Sequence, residues 1–258
     1  MDETTETSLQ VAPQSWTVLR AIAVIGIALS LFQLYAAGVQ PLGLFFQRPI
    51  HLGFVLVLCF LIYPVFGRHR ARGVLGWSID AGLIVLAVLV GVWVPINIDI
   101  IANQVFPRDI DVWIGIVAIL VVLEAARRAV GLGMTLIGAF FIAYAFAGRR
   151  GELPFLADWM PGILNHRGYS LERVSSQMTL GAEGIFGIPL GVAATFVFIF
   201  VLFGAFLEVT GAGKFFIDLA YAAAGKQRGG PAKAAVIASA GMGSISGSAI
   251  ANVVTTGA

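Results

Sequence analysis

The chain has 258 residues, 59% of them hydrophobic and only 12% charged, against roughly 25% charged in a typical soluble domain. That balance excludes a soluble globular domain and defines an integral membrane protein. The net charge of +2 gives a nucleic acid nothing to hold, and the single cysteine, Cys59, excludes an internal disulfide.

The polar, acidic start MDETTETSLQ lacks the basic region of a signal peptide, and the apolar run after it is long enough to span, so it is expected to stay attached. The first span is predicted from Trp16 to Ala37, with Trp16 and Arg20 at one headgroup level and Tyr35 at the other. A second covers Pro49 to Phe66, a third Gly76 to Pro95, a fourth Ile110 to Ala126 and a fifth Val130 to Gly148. The polar stretch Arg149 to Gly184, with an amphipathic run from Leu171 to Leu180, is expected to lie on or dip into one membrane face. A sixth span runs from Ile185 to Leu207, and Gly211 to Gln227 reads as an amphipathic interfacial helix. The predicted class is therefore all-α and polytopic, with about six transmembrane helices.

Arg68, Arg70 and Arg72 between spans two and three, and Arg127 and Arg128 between four and five, put those loops and the N-terminus in the cytoplasm. Arg149 and Arg150 then fall outside, against the rule. Asp80 and Glu124 lie near helix ends and read as paired or snorkelling interfacial charges, Glu124 within one turn of Arg127 and Arg128. Asp99, Asp109 and Asp111 are expected to be solvated. His51, His69 and His166 lack metal-ligand spacing and read as loop or interface residues. Glu183, among Gly181, Gly184 and Gly187, is a further functional candidate. There is no nucleophile elbow, phosphate loop or zinc-protease motif, so an enzyme is not expected.

The C-terminal stretch GGPAKAAVIASAGMGSISGSAIANVVTTGA departs from a plain span. Pro231 suits a helix start, and a helix from there to Ala240 would climb about 15 Å, half of a hydrocarbon core of about 30 Å. At that depth the run Gly241 to Ser248 lets the backbone leave helical geometry, and Ser248 is a good N-cap for a second arm. Broken backbone in a membrane must be buried in protein or line a wet cavity, and transporters place ion and substrate sites there. A re-entrant hairpin with a binding tip follows. The competing reading is a packing face, since Gly243 and Gly247 have the small-xxx-small spacing of tightly packed membrane helices; the chain would then be a non-transporting scaffold or assembly protein.

The segment GAEGIFGIPLGVAATFVFIFVLFGAFLEVTGAGKFFIDLA, with GMGSISGSAIANVVTTGA, resembles the fused permease of tripartite ATP-independent periplasmic (TRAP) transporters of the type served by a TAXI substrate-binding protein. The resemblance implies a small four-helix membrane domain over residues 1–126 and the start of a large transport domain over 127–258, cut within its first hairpin. It implies secondary active uptake of organic acids, usually sodium-driven, by an elevator mechanism in a bacterial inner membrane, with a periplasmic TAXI-type protein delivering substrate. It carries over Gly243, Ser244, Ser246, Gly247, Ser248, Asn252 and Thr255, with Thr256 beside it, as ion or substrate contacts, and Na+ at the hairpin tip as the coupling ion. The second hairpin of the family is not in the sequence, which reads as a fragment.

Overall fold

In the computed structural model the residues described are 15–66, 73–104, 106–226 and 228–245, and all the regular structure among them is helical. Among the described residues four helices are long and apolar enough to cross a membrane: Trp16–Gly38 (α1), Leu44–Ile62 (α2), Val74–Ile96 (α3) and the run Ile188–Leu207. That last run is built from α8 (Ile188–Val192), a π-helical turn (Ala193–Val197) and α9 (Phe198–Val209). Between α3 and α8 lie a short α4 (Ile98–Asn103), α5 (Asp109–Ala129), α6 (Leu132–Phe146) and α7 (Leu171–Thr179); α10 (Ala212–Ala224) and α11 (Gly230–Ile245) follow α9. α5 is long enough to cross but carries Asp109, Asp111, Glu124, Arg127 and Arg128. α6, with 15 residues, reaches only about 22 Å at 1.5 Å per residue.

The described residues form two compact units: one contains those up to Leu31 and from Pro41 to Gly191, the other Phe32–Gln40 and those from Val192 on. The core of the first is built by Leu52, Leu56 and Phe60 of α2, Ala87, Val90 and Val94 of α3, and Ala118, Val121 and Ala125 of α5, with Phe186 closing it. In a bilayer such burial contributes little by itself, because lipid tails are as apolar as leucine; cohesion comes from close packing and interhelical hydrogen bonds. Close packing appears where α2 crosses α3. A Cβ on Gly91 would stand 2.8 Å from Gly53 Cα and 3.1 Å from the Pro49 carbonyl, so only glycine lets the backbones meet.

α2 runs from Leu44 to Ile62 and carries Pro49 inside it, whereas the second span was expected over Pro49 to Phe66. His51 is not a loop or interface residue: it lies within α2, 5% exposed. The stretch after α6 is also more than a surface segment. Ser170 caps α7 by accepting from the Arg173 amide, and α7 docks on α5, where Ser175 Oγ donates to the Val112 carbonyl at 2.7 Å. A Cβ on Gly115 would strike Ser175 Oγ and Thr179 Oγ1, so that glycine sets the docking distance.

Candidate functional site

The Gly/Ser-rich end is approached through the second unit. α10 starts after Gly211 and α11 after Gly229, both in the left-handed region at φ +79° and +71°, which glycine enters without a Cβ penalty. The two helices form a hairpin whose seam is Ala220 of α10 against Ala234 and Ala238 of α11, with Ile217 alongside. Small side chains allow this close approach, and a Cβ on Gly241 would stand 3.1 Å from the Phe216 ring. Gly241 is thus a packing glycine, and α11 runs through it: the helix is regular over Gly230–Ile245, about 24 Å, five residues past the break expected at Ala240. Two isolated glycines cost a helix only about 1 kcal/mol each, which an Ala-rich, packed helix absorbs.

Of the predicted contacts, Gly243 and Ser244 are exposed on α11. Ser244 Oγ donates to the Gly241 carbonyl at 2.7 Å, so its proton is spent within the helix while its lone pairs remain available. Ser246, Gly247, Ser248, Asn252, Thr255 and Thr256 lie outside the described residues. Glu183, in the first unit, is exposed on the turn after α7, its Oε2 3.4 Å from Gln177 Nε2. The glycines beside it have a structural reason. A Cβ on Gly187 would meet the Gly184 carbonyl at 2.7 Å, one on Gly184 would strike Met178, and the Ile185 amide donates to the Met178 carbonyl at 2.7 Å. The turn is fixed from outside by Arg48 of α2, whose Nη1 donates to the Phe186 carbonyl at 2.7 Å. Among the described residues no group of three or more His, Cys, Asp or Glu could hold a metal ion.

The first unit holds two polar networks: the pairing expected of Asp80 and Glu124 is found, whereas the link between helices and the burial of Asp80 and Asp111 were not foreseen in the sequence. At one end of the antiparallel α3/α5 pair, Arg128 joins three helices. Its Nη1 is 2.6 Å from Asp80 Oδ1 of α3 and donates to the Tyr63 carbonyl after α2 at 3.0 Å, while its Nε is 2.6 Å from Glu124 Oε1. The Arg128 and Asp80 side chains are 2% and 0% exposed, and the guanidinium lies 5.0 Å from the Phe60 ring centre. Arg127 completes the group with two bonds to Glu124, at 2.7 and 2.8 Å. At the other end Asp111, expected in solvent, is 1% exposed. Arg108 grips it with Nε and Nη2, both at 2.8 Å, Trp93 Nε1 of α3 donates at 2.9 Å, and Arg108 Nη2 reaches Asn97 Oδ1 at 3.3 Å. Asp111 is buried because its helix start packs under Trp93. Asp99 and Asp109, by contrast, are exposed.

Buried ion pairs that bond several apolar helices, exposed aromatic and aliphatic faces, and a hairpin of small residues define a polytopic α-helical membrane protein. The model of the family described as tripartite ATP-independent periplasmic transporter, DctM component, matches residues 117–258, more than half of the chain, and the chain belongs to that family. It is thus a transporter permease component rather than an enzyme, in a family that works with a periplasmic binding protein. Comparison with curated proteins gave no match, and neither did comparison with solved structures.

Proposed function

We propose that the chain belongs to a fused TRAP permease of the TAXI-served type, importing organic acids across a bacterial inner membrane with sodium as the coupling ion and its N-terminus in the cytoplasm. Family membership carries the transport class. The match starts at Val117, within α5; that α1 to α4 precede it supports a small helical domain fused ahead of the transport domain. The cytoplasmic N-terminus rests on Arg68, Arg70 and Arg72 between α2 and α3, and on Arg127 and Arg128 in the last turn of α5, which meets the end of α2 through the Arg128 bond to the Tyr63 carbonyl.

The site reading places the coupling cation at Ser246-Gly247-Ser248, next in sequence to α11. Carbonyl and hydroxyl oxygens suit a hard cation. Gly243 and Ser244 supply carbonyls from α11, Ser246 and Ser248 hydroxyls from the turn, and Asn252, Thr255 and Gly247 the amide, hydroxyl and backbone contacts to a carboxylate at the start of the second arm. Its N-terminal end would face the anion. The supporting observation is that Gly243 and Ser244 are exposed on α11, with the Ser244 proton turned back to Gly241. Glu183 is a weaker member, exposed and weakly held.

The test is uptake of a labelled carboxylate by the permease with its binding protein in vesicles under an imposed sodium gradient. Ser246→Leu and Asn252→Leu are each expected to abolish gradient-dependent uptake in folded protein. Retention of sodium-driven uptake by both would remove the site assignment, and uptake indifferent to sodium but driven by a proton gradient would remove the coupling ion.

A further inference from the structure

α6 is short and bare. Its 15 residues cover about 22 Å of a hydrocarbon layer about 30 Å thick. None of them is fully buried, and Leu132, Met134, Leu136, Ile137, Phe140 and Phe141 are all exposed. The chain after it does not leave for water. It folds back on the last turn of α6 through backbone bonds: Leu153 N–H to the Phe146 carbonyl at 3.0 Å, Tyr169 N–H to the Ala145 carbonyl at 3.0 Å, and Arg150 N–H to the Arg167 carbonyl at 2.9 Å. His166 Nε2 bonds the Tyr144 carbonyl at 2.8 Å while its Nδ1 accepts from the Gly168 amide at 3.0 Å, and Tyr144 Oη donates to the Leu164 carbonyl at 2.8 Å. Gly168, at φ +78°, makes the return possible, its backbone lying against Gly148 and Gly151.

This tied-down loop presents Phe155, Ile163 and Leu164 at 62%, 93% and 49% exposure. Arg149, Arg150 and Arg167 are exposed around the same fold-back, whereas the nearby Glu152 carboxylate is engaged by the Leu171 amide at 3.0 Å; Asp158 is exposed. Apolar tips that none of the described residues covers, fixed at the end of a helix too short for the bilayer and flanked by arginines, match one surface: the boundary between acyl chains and anionic headgroups. We propose that residues 149–170 form a lipid anchor in which Phe155, Ile163 and Leu164 enter the acyl region, complete the span that α6 leaves short, and hold Arg149, Arg150 and Arg167 on the phosphates of anionic phospholipid. The arginines that break the charge rule for loop orientation are then lipid contacts.

The experiment reconstitutes the full chain, with Cys59→Ser, in vesicles of phosphatidylcholine with or without phosphatidylglycerol, spin-labelled in turn at Phe155→Cys, Ile163→Cys and Asn165→Cys. Labels at 155 and 163 should be relaxed by oxygen more than by a water-soluble nickel chelate, at a depth of about 5–10 Å, while the label at 165 shows the reverse. Replacing Arg149, Arg150 and Arg167 by Gln should lower the enrichment of phosphatidylglycerol among protein-bound lipids by about fivefold for each arginine removed. These residues are exposed, so the variant should fold, and Cys59 inaccessibility in the same background without Cys59→Ser checks this. The proposal is overturned if labels at 155 and 163 behave like that at 165, if they become protected only when a periplasmic binding protein is added, or if the Gln variant keeps its lipid preference.

Discussion

Asp80→Leu should open the first unit. The Asp80–Arg128 pair is fully enclosed and joins α3 to α5 at 2.6 Å. Removing the carboxylate leaves a guanidinium 2% exposed among Phe60 and its neighbours, with Glu124 and the Tyr63 carbonyl as its remaining partners. Breaking one side of a buried pair costs about 3–5 kcal/mol. Because the partly exposed Glu124 still neutralises Arg128, we place the loss at the lower end, about 3 kcal/mol, or roughly 150-fold in the population of the opened state. Arg128→Met alone should cost a similar amount by stranding Asp80. The double variant Asp80→Leu/Arg128→Met should recover most of the stability, since two apolar groups replace two that need each other. Cys59 is a built-in reporter: it is the chain's single cysteine, partly buried, with its Sγ 3.8 Å from the Ala125 carbonyl. Its rate of modification by a thiol reagent, measured in vesicles, reads the opening of α2 from α5. Equal Cys59 rates in wild type and Asp80→Leu, or a double variant more reactive than either single one, would refute the reasoning.

Gly91→Val should separate α2 from α3, because Gly53 and Pro49 backbone atoms already stand where its side chain must go; a cost of about 1–3 kcal/mol is expected, again read at Cys59. Trp93→Phe removes a donor to the Asp111 carboxylate and should cost about 1.5–3 kcal/mol by thermal unfolding, with Asn97→Ala costing less because its 3.3 Å contact to Arg108 is long. Gly115→Ala should lift α7 off α5 and make the chain around residues 171–187 more sensitive to protease, and adding Ser175→Ala should restore part of the protection by clearing the colliding hydroxyl.

Helices were easy to place because uninterrupted apolar runs of about 20 residues have few other fates. α1 and α3 fall within two residues of the expected bounds, and α10 lies inside the stretch read as amphipathic. What escaped were relations between helices. Nothing local distinguishes Asp111, which is buried, from Asp109, which is exposed; the difference is Trp93, contributed by the end of α3. Asp80 and Arg128 are 48 positions apart and meet only through the antiparallel register of α3 and α5. Gly184 and Gly187 looked like the mouth of a site, but their backbones pack on Met178 and on each other, a use of glycine that composition cannot separate from flexibility. Gly241 belongs to the same case, standing against Phe216 inside a continuous α11. The class of protein was legible from the Gly181–Ala220 segment and the Gly/Ser tail, whereas most of the candidate site, from Ser246 on, lies outside the described residues.

The central claim is the proposed ion site at Ser246 to Ser248, reached from water in a re-entrant hairpin rather than packed within an unbroken span. Single cysteines at each position from 241 to 248, in a Cys59→Ser background, can be challenged with a membrane-impermeant thiol reagent applied from one side, with and without sodium. The account predicts low reactivity at 241 and 242, a maximum at 246–248, and protection there by sodium. Uniform inertness across all eight positions, the behaviour of a helix packed straight through the bilayer, would contradict it.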